Sequence, residues 1–169
     1  MTVDQPRGEG DAQSSLVGEV SHVACRAIQA PVAALLIKAF CREFGRERAV
    51  AVATEAVRQD GAAAGRKMAE QFGGNGLAEL ARVVREVWCR DDGMRISVLE
   101  ESNRVLRFNA THCGYAEAYA QLGILDLGVC LSCCRDAPFA KAFNPRITLT
   151  RTQTIMERGT HCDFCFTLG

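Results

Sequence analysis

The periodicity of apolar residues changes partway along the chain, and this change limits the folds open to it. Up to about Cys89 the apolar residues recur at helical spacing. From Met94 onward they alternate with period two around turns, as in half-buried strands. Helical segments are predicted over residues 16–29, 32–44, 47–72 and 77–89. Val20, Val23, Ala24, Ala27 and Ile28 share one face of the first. Ser14 and Ser15 offer its cap. Pro31 suits a first helical position, Gly45 a helix end, and Asp60-Gly61 a break. Residues 94–100 and 105–110 read as a hairpin around Glu101-Ser-Asn-Arg104. Thr111 caps a helix over 112–122. Residues 126–142 are partly helical, with a break at Pro138. Two terminal strands, the first over 146–155, flank a turn at Glu157-Arg158-Gly159. The expected fold is α+β, an N-terminal helical layer packed on an antiparallel sheet of about four strands. Residues 1–15 read as a flexible tail and 16–169 as a single domain.

The last nineteen residues concentrate reactive side chains. On a strand, His161, Asp163 and Cys165 fall on one face and Cys162, Phe164 and Phe166 on the other. Thr152, Thr154 and Met156 would share a face of the preceding strand. The charge balance is 20 basic against 20 acidic residues, with no basic cluster to recognise nucleic acid. The longest apolar run, Val32–Ile37, is too short to span a bilayer, and the N-terminus lacks a secretory pattern, so a cytoplasmic location is expected. Nine cysteines fit reduced thiols there. Three sit in helical patterns as small apolar residues; six crowd into residues 113–165.

Three chemistries are open to these residues. A thiol nucleophile needs a depressed pKa. Cys113 would sit in the first turn of a helix beside His112, and Cys162 lies between His161 and Asp163, with His112 the better placed base. Asp136 or Asp163 can activate water, orient a histidine or bind an amidine. Arg151 can pair with Asp163 or clamp a substrate carboxylate. Two CxxC units, Cys130–Cys133 and Cys162–Cys165, carry zinc-like spacing. However, 28 residues separate them, and a strand points the thiols of Cys162 and Cys165 to opposite faces. No resident metal or cofactor is expected. The aromatic residues Trp88, Phe108, Tyr115, Tyr119, Phe139 and Phe143 can wall a pocket or fill a core.

The ordered set Glu43-Phe-Gly45-x-Glu47-x-Ala49, Cys113-Gly-Tyr115, Cys134-Arg-Asp136, Arg151-Thr-x-Thr-Ile and Cys162-Asp163-Phe164 resembles the 2-amino-thiazoline-4-carboxylic acid hydrolase family. The resemblance implies a small hydrolase that opens a cyclic amidine or thiazoline at a carbon–nitrogen bond to give a carbamoyl-cysteine. It implies a small-molecule substrate held by Arg151, Thr152, Thr154 and Cys134. Cys113 or Cys162, His112 or His161, and Asp136 or Asp163 would supply the chemistry. The family usually has Arg where this chain has Cys165, which implies a related reaction on a different small substrate. The family is distantly similar to 4-vinyl reductase-type domains, so a non-catalytic ligand-binding domain is one alternative. A metal or redox module built on the CxxC units is another. The small residues Ala62, Ala63, Ala64 and Gly65 permit a homodimer.

Overall fold

The structure is a computed structural model and describes residues 20–169. The expected tail and the Ser14-Ser15 cap lie outside these residues. Helix α1 spans His22–Phe44 and helix α2 spans Arg46–Gln71, joined through Gly45 at φ 83°. Helix α3 spans Leu77–Val83 and continues as a π-helical turn over Val84–Trp88. The hairpin of β1 (Met94–Glu101) and β2 (Val105–Cys113) follows, and then α4 (Gly114–Gln121). A short α5 (Gly128–Leu131) and a 3-10 turn lead into α6 (Asp136–Phe143). The chain closes with β3 (Ile147–Thr150) and β4 (Cys162–Leu168).

The sheet is antiparallel throughout, in the order β1-β2-β4-β3. Register places Leu106 opposite Phe166, Phe108 opposite Phe164 and Ala110 opposite Cys162. These six are buried, so one face of the central strands is covered by the helical layer. Phe108 and Phe164 stack with centroids 4.9 Å apart. The alternation predicted for β4 holds, with Cys162, Phe164 and Phe166 inward. The α+β architecture is as expected from the switch of periodicity.

Several boundaries differ from the expectation. Residues 22–44 form one helix with Pro31 inside it, capped by the Ser21 hydroxyl, which accepts from Ala24 N at 3.3 Å. Apolar packing on both sides of Pro31, through Ala30, Ala34 and Ile37, offsets the lost backbone bond. The first helix was expected to face inward through Ile28, but Ile28 is 69% exposed and the inward face carries His22 and Arg26. Helix α2 runs unbroken through Asp60-Gly61, because Gly61 lies against the Arg135 backbone. Pro138 lies in the first turn of α6, where its missing N–H costs nothing. The strand expected over 146–155 stops at Thr150, so Thr152, Thr154 and Met156 are not on a strand face. Thr111 is within β2, and Cys113 takes the N-cap position of α4.

Candidate active site

Where α1, α6 and the inner face of the sheet meet, they leave a pocket of about 740 Å³, its open mouth included. Trp88, Phe139 and Phe164 form aromatic walls, with Trp88 edge-on to Phe139 at 5.2 Å. Polar groups come from four directions: His22 and Arg26 from α1, Cys113 and Tyr115 from the β2–α4 junction, Cys133, Arg135 and Asp136 from the start of α6, and Arg151 and Cys162 from the C-terminal region.

The central pair is Asp136 and Arg151, 2.5 Å apart, with side chains 23% and 14% exposed. Arg151 also donates to the Cys133 carbonyl at 3.2 Å and lies over the Phe164 ring at 4.9 Å. Burial pushes the Asp136 carboxyl above the usual carboxylate range, against the pull of Arg151. Burial works to lower the Arg151 guanidinium, but Asp136 holds it above its ordinary value. The exposed Asp60 takes an ion pair from Arg135 and another from Arg26 at 3.6 Å. Arg26, Arg135 and Arg151 against Asp60 and Asp136 leave one surplus positive charge, which suits an anionic ligand.

His22 Nδ1 stands 2.8 Å from the Tyr115 hydroxyl. Burial, then Arg26 and Arg135, lowers His22 to about 4, so it is neutral at pH 7 and can accept the tyrosyl proton. The sign of the linkage follows. The unfolded chain binds a proton at His22 near pH 6.5 and the folded chain does not until about 4, so stability falls as pH drops through that window. Thermal melts at pH 7 and 4.5 should show a larger drop for the wild-type chain than for His22→Gln. Equal drops would mean that His22 is not held neutral.

The thiols lie in the same pocket but are not activated. Burial pushes Cys113 up to about 11, although its sulfur can accept from the Ala116 and Tyr115 N–H groups. Burial also raises Cys133 and Cys162, and ionising one of the three opposes ionising the others. All nine cysteines are free thiols.

Of the residues singled out in the sequence, the structure brings together Cys113, Cys162, Asp136 and Arg151. The others lie elsewhere. His112 points away from Cys113, its Nε2 at 3.4 Å from Asp92 and its Nδ1 at 3.3 Å from Glu117. His161 contacts Thr160 and Gln153. Asp163 pairs not with Arg151 but with the backbone. It accepts from Thr152 N at 3.0 Å, Gln153 N at 2.8 Å and the Thr152 hydroxyl at 2.6 Å. Desolvation works to raise Asp163, but these bonds hold it below the usual carboxylate range. Thr154 caps the 3-10 turn over Ile155–Glu157, accepting from Glu157 N at 3.1 Å. Cys134 Sγ donates to the Cys130 carbonyl and faces α2, while Cys133 faces the pocket. Cys165 is on the outer face of β4, so the pocket draws its basic groups from Arg26, Arg135 and Arg151. Among the described residues, no three His, Cys, Asp or Glu side chains stand close enough to hold a metal ion. His22, Arg26 and Arg135 were not marked as site residues in the sequence, and Cys133 was marked only as part of a CxxC unit. The available signal was a histidine and an arginine four residues apart in an otherwise apolar helix.

The model of the L-2-amino-thiazoline-4-carboxylic acid hydrolase family matches residues 25–166. The chain belongs to this family. Membership points to a hydrolase of the 2-amino-thiazoline-4-carboxylate type, and the matched span includes every pocket residue named above except His22. No curated protein sequence matches the chain. Among solved structures, the phenol-responsive sensory domain of the transcription activator PoxR, crystallised with phenol, superposes with a TM-score of 0.53 at 13% identity. The match covers 82% of this chain and 73% of that one. A trafficking protein particle complex subunit 3 from Naegleria fowleri, covalently bound to palmitic acid, gives a TM-score of 0.49 at 9% identity, covering 84% and 96%. The PoxR likeness shows a shared fold.

Proposed function

We propose that the chain hydrolyses a non-peptide carbon–nitrogen bond in a small cyclic amidine that carries a carboxylate, of the thiazoline-carboxylate class. The largely enclosed Asp136–Arg151 pair at the wall of an aromatic pocket carries this reading. The surplus guanidinium charge receives the substrate carboxylate, and the aromatic walls take the ring. Asp136 faces the amidine end. Water adds to the electrophilic amidine carbon and its proton passes to Asp136, whose pKa is raised by burial toward that of a useful base. The tetrahedral adduct then collapses, breaking a ring carbon–nitrogen bond, and the nitrogen leaves with a proton. Asp136, protonated in the first step, returns that proton to the leaving nitrogen, and Tyr115, whose own proton is held by neutral His22, lines the other wall. Water is preferred over a thiol as the nucleophile because burial keeps Cys113, Cys133 and Cys162 protonated at neutral pH.

That same protonation favours a second reading, a non-catalytic ligand-binding pocket. The PoxR structure that shares the fold is the phenol-responsive sensory domain of a transcription activator. One experiment separates the two: incubate the full chain with 2-amino-thiazoline-4-carboxylate, follow ring opening by mass, and measure binding by calorimetry. Turnover should fall about 10²–10⁴-fold in Asp136→Asn with binding largely kept, and persist in Cys113→Ala, Cys133→Ala and Cys162→Ala. Binding without turnover in the wild-type chain would establish the ligand-binding reading. Loss of turnover in a single cysteine variant would return the nucleophile to that thiol.

A further inference from the structure

We infer that the outer face of α1 is the interface between two copies of this chain. Helix α1 buries only Ala30, Ala34 and Ile37 inside the protomer. Its opposite side exposes Ile28 (69%), Val32 (63%), Leu35 (68%), Leu36 (53%), Phe40 (48%) and Phe44 (58%), and α2 adds Val52 (66%). Together these seven side chains expose on the order of 700 Å² of apolar surface, where the largest apolar patch of a typical monomer is about 300–600 Å². A standard interface buries about 800 Å² per partner, so a second copy covers the patch at the area a stable dimer needs.

The sequence order within the patch selects a copy of itself as the occupant. Ile28, Val32, Leu36, Phe40 and Phe44 recur every four residues and form one ridge along the helix. Reversed about Leu36, the ridge maps onto itself, with Ile28 directed toward the Phe44 end, Val32 toward Phe40, and the two Leu36 side chains flanking the axis. Two such ridges interdigitate at a crossing angle of about −50°, the commonest class of helix packing. A two-fold contact must be self-complementary in this way. At that angle the helix ends diverge, and Ile28 of the second copy overlies the apolar groove between α1 and α2, which is lined by Phe40, Phe44, Val52 and Ala53. Between residues 27 and 37 α1 carries no charged side chain, and Lys38, Arg42 and Glu43 lie in the half of the helix that runs to Phe44. The same helix passes His22 and Arg26 into the pocket from its inner side, so the contact anchors an element of the candidate site.

A lipid surface is the competing occupant, because α1 is by length and composition long and apolar enough to cross a membrane. Sedimentation velocity of the full 18.4 kDa chain in detergent-free buffer decides between them. The wild-type chain should sediment at twice the monomer mass at micromolar concentration. Leu36→Glu, which sets two carboxylates against each other at the crossing, should sediment as a monomer with an unchanged circular dichroism spectrum. Val32→Glu should do the same and replaces Leu36→Glu if that variant does not fold. A monomeric wild-type chain overturns the proposal, as does a folded variant that stays dimeric. Co-flotation with phosphatidylcholine vesicles by a wild-type chain that is monomeric in buffer would assign the face to lipid instead.

Discussion

Replacing Arg151 with Met should destabilise the protein by about 3 kcal/mol, because the Asp136 carboxylate is then left buried without a partner. For a chain of this length that lowers Tm by roughly 6–12 °C. Two controls identify the cause. Adding Asp136→Asn to Arg151→Met should recover much of the loss, since both charges are then gone. The deficit should also shrink on acidification. Burial already raises the Asp136 pKa above the unfolded value, and removing Arg151 raises it further, so the folded state gains a proton that the unfolded state lacks. Stability of Arg151→Met relative to wild type therefore recovers as pH falls from neutral toward about 4. A deficit that is flat with pH and untouched by Asp136→Asn would mean that Arg151 stabilises through Phe164, over whose ring it lies, and not through Asp136.

Gly65→Ala should cost about 2–3 kcal/mol and lower Tm by about 5–10 °C. The sign is the informative part. Glycine inside a helix is normally worse than alanine by up to about 1 kcal/mol, so the substitution would stabilise an ordinary position. Here the added Cβ would fall 2.3 Å from the Phe139 carbonyl oxygen and 3.1 Å from Phe143 N, both backbone atoms of α6. Helix α2 must then move off α6, which begins with Asp136 and puts Phe139 in the pocket wall. Ligand affinity should fall with stability, although residue 65 touches no ligand. A Tm that rises in differential scanning calorimetry would show that the two helices do not meet at this spacing.

The parts of this molecule that a sequence makes legible are those set by local period. The first hairpin, the inward face of β4 and the late appearance of strands were all readable, because alternation or helical spacing states them directly. Where a tertiary contact overrides a local preference, the reading fails. Asp60-Gly61 looks like a helix break, yet Gly61 is small so that Arg135 can pack against it. Thr152 and Gln153 look like strand, yet a side chain across the sheet, Asp163, takes their N–H groups and ends the ladder at Thr150. Within the candidate site, Cys113, Cys162, Asp136 and Arg151 were legible as reactive types near family motifs. The partner of Arg151 was not: the sequence paired it with Asp163, whereas the topology brings Asp136 to it. His22 and Arg26 were hidden because the most apolar side of α1 faces outward, so hydrophobicity pointed to the wrong face.

The grip of Asp163 on the Thr152 and Gln153 backbone lies on the solvent side of the sheet, one residue from Arg151. A change at Asp163, or at the Thr152 hydroxyl that also bonds it, would shift the Arg151 guanidinium through the main chain while leaving the aromatic walls of the cavity in place. The aim of a pocket-lining guanidinium is therefore set partly from outside the pocket. A comparison limited to the side chains that line the pocket would miss this support for Arg151.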